Sequence, residues 1–309
     1  DRLRSRGLGD VYKRQAPANV TALVVTDDVA PGVGALTSGD TTNDRTPTFS
    51  GIALLEAGST VIITEGATEI GRATLTVLGT WTITPTTPLT DGPHNFVIKV
   101  VDQAGNASPG TSFDLTVDAT APNQITTFTV NDDFGPVIGP ISQNGSTNDT
   151  TPTLTGAAGS AEAGSTLRVY DGAILVGTTT VNGDGSWSVT TSPLLNGSHS
   201  LTMTATDATG NISTPSTPFN FTVDTVAPTP ILALSVSNNV GSPALANGAS
   251  TNDNTPIISG RAEANSTVNV YNGATLVGTT TAGADGIWSL AACLLYTSPS
   301  PRDRRRSRM

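Results

Sequence analysis

Apolar and polar residues alternate in short runs along much of the chain. The clearest run, residues 94–101, places Phe96, Ile98 and Val100 at every second position, with Asn95 and Lys99 on the opposite face. Residues 201–206 repeat the pattern about 105 positions later. A period of two is typical of β-strands with one face turned toward a core, and no helical periodicity accompanies it. The pattern therefore predicts an all-β chain.

The first part of the chain contains several such runs, separated by turn-forming residues. They predict strands over residues 20–26, 46–52, 60–64, 69–77, 81–84, 94–101 and 112–117. We letter the first three A, B and C, and the last two F and G. Seven short strands in about 100 residues predict an antiparallel β-sandwich.

One segment occurs three times and sets the domain organisation. Its copies lie at residues 42–51, 147–156 and 251–260, each with a Thr-Asn-Asp start and a Gly end. A period of about 105 residues is the length of a whole sandwich domain, so the chain is predicted to be a tandem array. The predicted domains are residues 16–121, 122–227 and 228–292. The third stops soon after Trp288 and is predicted to be truncated, without its last two strands and with exposed strand edges.

The two tails, residues 1–15 and 293–309, break the period and carry most of the basic residues. A nucleotide sequence that encodes residues 5–15 also encodes residues 293–302 when it is reverse-complemented and read in another frame. That nucleotide sequence resembles the adapter of transposase-based sequencing libraries. We therefore interpret both tails as translated adapter that is disordered and outside the fold. The alternative is a pair of genuine basic, disordered tails.

Composition limits the function further. The formal net charge is −10, and the part between the tails is more acidic still. This balance argues against nucleic-acid and anionic-membrane partners and favours bound cations. The single cysteine, Cys293, lies in a tail, so neither a disulfide framework nor thiol chemistry is expected. No apolar run approaches the roughly 20 residues of a membrane span.

Tryptophan and histidine recur with the period. Trp81, Trp187 and Trp288 are predicted to fill the core of their domains, with a sugar-stacking surface as the alternative. His94 and His199 occupy equivalent positions, and residues that repeat with the fold are usually structural. No catalytic residues are predicted.

The topology of a sandwich brings acidic loops together. The A–B loop and the last residues share one end of a domain, here called the distal end. The B–C and F–G loops share the other, proximal end. A four-residue linker, 119–122, joins the first two domains, so the distal end of the first should face the proximal end of the second. The residues predicted to converge there are Asp27, Asp28, Asp44, Asp118, Glu162, Asp207 and Asn211.

Oxygen ligands without Cys or His favour Ca²⁺, which takes six to eight oxygens in flexible geometry. We expect a structural calcium ion at this joint, mainly on Asp118, Glu162, Asp207 and Asn211. Asp224 and Glu263 would form an incomplete second site. Asp27 with Asp28, and Asp132 with Asp133, are weaker candidates within their own domains. The alternative is that Asp207 and Asn211 merely hold a loop by side-chain hydrogen bonds.

Five motifs recur in order: residues 146–156, 161–165, 184–187, 206–211 and 223–228. Together they resemble the bacterial immunoglobulin-like repeats of large biofilm-associated adhesins exported by type I secretion. The resemblance implies tandem immunoglobulin-like sandwiches on the cell surface, stiffened by calcium, whose partners are neighbouring repeats and whose adhesion target binds elsewhere. The alternatives are a spacer in a secreted polysaccharide-degrading enzyme and a ligand- or carbohydrate-binding module.

Overall fold

A computed structural model describes residues 16–54, 58–238 and 242–292. Every regular element in them is a β-strand, as the alternation predicts. The chain divides into two compact units, the first ending at Thr225 and the second beginning at Val226. The first unit holds two sandwich repeats. The tails interpreted as translated adapter lie outside the described residues.

Over its described residues, the first repeat has nine strands in two sheets. They are β1 (Thr21–Asp27), β2 (Gly34–Leu36), β3 (Thr41–Thr42), β4 (Thr48–Ile52), β5 (Thr60–Glu65), β6 (Thr68–Thr74), β7 (Thr80–Ile83), β8 (Gly92–Val101) and β9 (Thr111–Val117). One sheet has the order β2-β1-β4-β7 and the other β3-β9-β8-β5-β6.

The second repeat reproduces this plan. Its strands are β10 (Thr129–Asp132), β11 (Gly139–Pro140), β12 (Gly145–Thr147), β13 (Thr153–Gly156), β14 (Thr166–Asp171), β15 (Ile174–Thr180), β16 (Trp187–Thr190), β17 (Gly197–Thr206) and β18 (Phe219–Val223). The sheets have the orders β11-β10-β13-β16 and β12-β18-β17-β14-β15. Gly172 and Gly185 lie in tight turns between strands, and both have positive φ.

The predicted antiparallel sandwich is confirmed, and each repeat adds one short parallel pairing that the sequence did not predict. The A–B segment, expected to be a loop, crosses from one sheet to the other. Its first short strand extends the sheet of β1, and its second, β3, pairs in parallel with β9. In the second repeat β12 pairs in parallel with β18. These strands are only two or three residues long. Pairing with the edge of a neighbouring strand holds them in place, so their own sequences show no alternation of apolar and polar residues.

Apolar side chains from both sheets fill each sandwich. In the first repeat Phe49 packs edge-on against Phe96 and Phe113, with ring centroids 5.1 and 6.1 Å apart. Trp81 and Trp187 are each 3% exposed, which confirms the predicted core position and excludes these rings as a sugar platform. A Cβ on Gly156 would lie 2.1 Å from Trp187 Nε1, so the indole packs against this strand only because the residue is glycine.

The second unit contains β19 (Leu232–Ser237), β20 (Ile257–Arg261), β21 (Thr267–Asn272), β22 (Thr275–Thr281) and β23 (Ile287–Ala291). They form a three-stranded sheet, β19-β20-β23, and a two-stranded sheet, β21-β22. Among the residues described in this unit, the buried cluster consists of Val268, Ala282 and Trp288, and it is much smaller than that of the second repeat. Over the described residues, β21 has no counterpart of the β17 strand that covers β14.

Candidate functional site

The first two repeats meet where the sequence places their acidic loops. We call this contact the joint. The backbone of Asp118, the residue after β9, is fixed because its N–H donates to the Thr42 carbonyl at 2.8 Å. The Asp118 carbonyl in turn accepts from Thr209 Oγ1 at 3.1 Å and from Asn211 Nδ2 at 2.9 Å. The F–G loop of the second repeat therefore bonds directly to the end of the first.

Asp207 organises that F–G loop. Its Oδ1 accepts from the backbone N–H groups of Thr209, Gly210 and Asn211, at 2.9, 2.7 and 2.9 Å. Its Oδ2 accepts from Asn211 Nδ2 at 2.8 Å. The alternative role, holding a loop by side-chain hydrogen bonds, is therefore realised for Asp207. A ligand role for the carboxylate remains a prediction.

Van der Waals contact supplements these bonds. A Cβ on Gly210 would lie 2.2 Å from Pro31 Cδ, so the proline ring rests on the glycine backbone across the joint. The linker is fixed from the first repeat, where Asp91 accepts from the Ala119 N–H at 3.3 Å and from the Thr120 hydroxyl. Asp91 also pairs with Arg45 at 2.7 Å. The sequence analysis missed Pro31, Asp91 and Thr209, because only contacts between distant segments reveal their positions.

The joint concentrates negative charge near Glu162, which lies in the B–C loop of the second repeat. Burial raises the pKa of the Glu162 carboxyl above its usual value, and the charges of Asp207 and Asp118 raise it further. Burial acts in the same direction on Asp207, but hydrogen bonds from Asn211 and Thr209 outweigh it and hold the Asp207 pKa below its usual value. Asp118 of the first repeat and Asp207 of the second are thus near enough to Glu162 to act on it electrostatically, while the wider convergence at an ion site stays a prediction.

The oxygen-only donor set suits a hard cation in kind. However, no group of three or more His, Cys, Asp and Glu side chains among the described residues is arranged to hold a metal ion. A cation at the joint would therefore need neutral oxygens from amides, carbonyls or water in addition to carboxylates.

The weaker candidates lie in hydrogen-bonded networks within each repeat. Asp27 accepts from Thr42 Oγ1 at 2.5 Å and from the Val29 N–H at 2.8 Å. Asp132 likewise accepts from Thr147 Oγ1 at 2.6 Å and from the Phe134 N–H at 2.9 Å. The neighbouring residues Asp28 and Asp133 are exposed, and their N–H groups donate to Asp44 and Asp149 at 3.4 and 3.2 Å. These bonds explain the acids as structural residues, and their use as ligands remains a prediction.

The predicted second site involves residues of both units. Asp224 follows β18 in the first unit, and its N–H donates to the Thr147 carbonyl at 2.8 Å, as that of Asp118 does to Thr42. Glu263 in the second unit repeats the turn of Glu162, with its carbonyl 2.7 Å from Ser266 Oγ. Whether they share an ion stays a prediction. In the second unit, Asn238 occupies the position equivalent to Asp132, and its Oδ1 accepts from Thr251 Oγ1 at 2.7 Å. The neighbouring Asn239 lies outside the described residues.

Both histidines have structural partners at each ring nitrogen. His94 bonds Glu65 Oε1 at 2.9 Å and the Thr90 carbonyl at 2.7 Å. His199 bonds Asp171 Oδ2 and the Leu195 carbonyl, both at 2.7 Å. No ring nitrogen of either histidine is left to act as a base, which supports the structural interpretation.

The model of the bacterial Ig-like domain matches residues 18–119 and 124–225. The chain belongs to this family. The matches cover both repeats of the first unit, including Asp118, Glu162, Asp207 and Asn211. Within the described residues, no helix is long and apolar enough to cross a membrane.

Solved structures give weaker likenesses. A tetra-tandem repeat in the extending region of a large adhesion protein is 26% identical, covers 90% of this chain and 84% of its own, and has a TM-score of 0.24. A biofilm-associated protein (BSP domain) is 23% identical, with 62% and 30% coverage and a TM-score of 0.22. The chain thus spans under a third of that protein.

The fibronectin(III)-like modules of Clostridium thermocellum CbhA are 18% identical, with 65% and 94% coverage and a TM-score of 0.33. TM-scores this low carry no argument about function. No curated protein matches the chain.

Proposed function

We propose that this chain is a non-catalytic extender segment of a bacterial cell-surface adhesin, whose joint between repeats is stiffened by Ca²⁺. The observation that carries the proposal is the joint itself. Asp118 and Asp207 lie close enough to Glu162 for their charges to raise the pKa of its carboxyl, and Arg45 of the first repeat is bonded to Asp91. Such an arrangement resists closure until a cation lowers the repulsion.

The side chains at the joint have different roles in this proposal. Asp207 shapes the F–G loop, while Thr209 and Asn211 bond that loop to Asp118. Asp118, Glu162 and Asp207 would supply carboxylate oxygens to the ion. A bound calcium ion would supply positive charge between the acids of the two repeats. Fixing the angle between repeats is what an extender needs, because a flexible linker would let successive domains fold back.

Calcium-dependent stability tests the metal. The full chain would be unfolded thermally with calcium and with a chelator. At a hundredfold over its Kd, one ion adds about 2.7 kcal/mol to the stability of the folded state. An unchanged midpoint would overturn the calcium part of the proposal.

Joint stiffness tests the extender role. Spin labels at Ser112 and Ser188, both exposed and on different repeats, report the spread of inter-repeat distances in a Cys293→Ser background. We expect calcium to narrow that spread. A broad distribution that calcium leaves unchanged would contradict a stiffened joint, even if the ion binds.

A further inference from the structure

The His94 ring faces two groups that can only accept hydrogen bonds. Its Nδ1 lies 2.9 Å from the Glu65 carboxylate, and its Nε2 lies 2.7 Å from the Thr90 carbonyl. A neutral imidazole has one N–H, so in that form its other nitrogen would point a lone pair at an oxygen. The side chain is only 7% exposed, and β9 places the apolar Leu115 opposite it. Both bonds form together only when both ring nitrogens carry a proton.

The second repeat has the same arrangement with a different acid. His199 Nδ1 lies 2.7 Å from Asp171 Oδ2, and Nε2 lies 2.7 Å from the Leu195 carbonyl. The other oxygen of Asp171 accepts from the Ser200 N–H at 3.0 Å, as an ionised carboxylate does. The His199 side chain is 9% exposed, and β18 places Phe221 opposite it. Little water can replace a missing bond here, so an unmatched ring nitrogen would cost stability.

The loop that His94 holds also holds the linker between the two repeats. His94 fixes the Thr90 carbonyl in the loop before β8. The next residue, Asp91, accepts from the Ala119 N–H at 3.3 Å and from the Thr120 hydroxyl, both in the linker 119–122. Two successive loop residues therefore connect the ring to the linker.

The loop before β17 repeats this connection. His199 fixes the Leu195 carbonyl, and the next residue, Asn196, accepts from the Thr225 N–H at 3.2 Å and from Thr225 Oγ1 at 2.9 Å. Thr225 lies two residues after β18, as Ala119 lies two residues after β9. The histidine and the bond to the departing chain are thus common to both repeats, although the residue that makes this bond differs.

We infer that His94 and His199 are proton-dependent latches that fix the direction in which the chain leaves each repeat. A ring with two protons keeps the bond to the acid and the bond to the loop carbonyl. A ring that loses one proton gives up one of these bonds, so the latch opens as the pH rises. Asp91 and Arg45, the other charged groups in and beside the loop that His94 holds, pair with each other at 2.7 Å.

Nitrogen NMR of the histidine rings tests their protonation state. The chain contains two histidines, so the signals can be assigned with His94→Phe and His199→Phe. In neutral buffer we expect both nitrogens of each wild-type ring to give the signals of protonated nitrogens. A ring with one protonated and one bare nitrogen in that buffer would overturn the inference. The wild-type spectrum alone decides this point, even where a variant folds poorly.

Distance measurements test the effect of the latch on the linker. Labels at Ser112 and Ser188 in the full Cys293→Ser chain, with chelator present, report the first joint without any contribution from a cation. His94→Phe keeps a ring of similar size and loses both bonds, so the spread of distances should widen. His199→Phe makes the same change beyond the labelled joint and should keep the wild-type spread.

Two further comparisons separate a latch from a general loss of stability. Raising the pH should widen the wild-type spread as the rings lose a proton, and it should not do so in His94→Phe. Because the ring acts through Asp91, adding His94→Phe to Asp91→Ala should widen the spread no further than Asp91→Ala alone. Equal widening in His94→Phe and His199→Phe, additive effects, or a pH response that survives in His94→Phe would overturn the inference. Calcium plays no part in these outcomes, so they are independent of the proposed stiffening.

Discussion

The side-chain amide of Asn211 donates to the backbone carbonyl of Asp118 at 2.9 Å, and this bond joins two repeats. The same amide also bonds Asp207 Oδ2 at 2.8 Å within its own loop. Asn211 thus connects the residue that shapes the F–G loop to the end of the neighbouring domain. The joint has a direct, metal-independent component, to which a cation would add.

Replacing Asn211 by Ala should loosen the joint without unfolding either repeat. The variant loses bonds to Asp118 and Asp207, each worth about 0.5–1.5 kcal/mol. We expect a broader inter-repeat distance distribution between labels at Ser112 and Ser188. Asn106→Ala is the control, because Asn106 bonds Asp102 at 2.7 Å in the equivalent loop of the first repeat. Equal broadening in both variants would mean that the Asn211–Asp118 bond does not hold the joint.

Glu162→Gln should raise the thermal midpoint of the calcium-free chain and reduce the stabilisation that calcium provides. In chelator the variant removes an acid that burial, Asp207 and Asp118 all disfavour in its charged form, so the thermal midpoint should rise. With calcium, the variant lacks one carboxylate ligand, so the added ion should stabilise it less than the wild type. Asp114→Asn, on an exposed part of β9, is the charge-matched control. A calcium-induced rise in midpoint as large as that of the wild type would argue against Glu162 as a ligand.

The pH dependence of the calcium-free chain follows from the same acid. The pKa of Glu162 in the folded chain lies above its usual 4.5, so its charged form costs stability at neutral pH. As the pH falls through that raised pKa toward 4.5, protonation removes the cost. The midpoint difference between Glu162→Gln and wild type should therefore shrink on acidification.

The shifted pKa of Asp207 has the opposite effect on the pH dependence of stability. Its pKa in the folded chain lies below the usual 3.8, so the stability that its hydrogen bonds provide is present above 3.8 and is lost as the pH falls through the lowered pKa. In the wild type, the relief at Glu162 should therefore precede the loss at Asp207 during an acid titration. A difference between Glu162→Gln and wild type that stays constant down to pH 4 would contradict the repulsion at the joint.

The main strands were predictable because their side chains obey a local rule. Phe96, Ile98 and Val100 alternate in sequence, and all three are at most 1% exposed. The short strands β2 and β3 could not be predicted in this way, because the backbone of a neighbouring strand orders them. The parallel pairing of Thr42 with Val117 connects segments that no local pattern relates.

The joint was predictable in outline and not in mechanism. Sandwich topology placed Asp118, Glu162 and Asp207 at one joint, since it fixes which loops share an end. It could not show that both carboxylate oxygens of Asp207 accept hydrogen bonds from its own loop.

The packing of the Pro31 ring against Gly210 can be tested by adding a single methyl group to the glycine. Gly210 and Gly105 are equivalent glycines with φ of +96° and +88°, so alanine is strained by a similar amount at both. The Cβ of Gly210→Ala would lie 2.2 Å from Pro31 Cδ, whereas that of Gly105→Ala has nothing within 4 Å. Only Gly210→Ala should therefore force the repeats apart and shift the Ser112–Ser188 distance distribution.

A second substitution separates contact from backbone strain. Pro31→Gly removes the ring that the methyl group meets, so combining it with Gly210→Ala should restore the wild-type mean distance. The two effects should then be clearly non-additive, as expected for residues in contact. If Gly210→Ala and Gly105→Ala shift the distribution equally, or if Pro31→Gly does not rescue it, the proline–glycine contact does not set the spacing of the repeats.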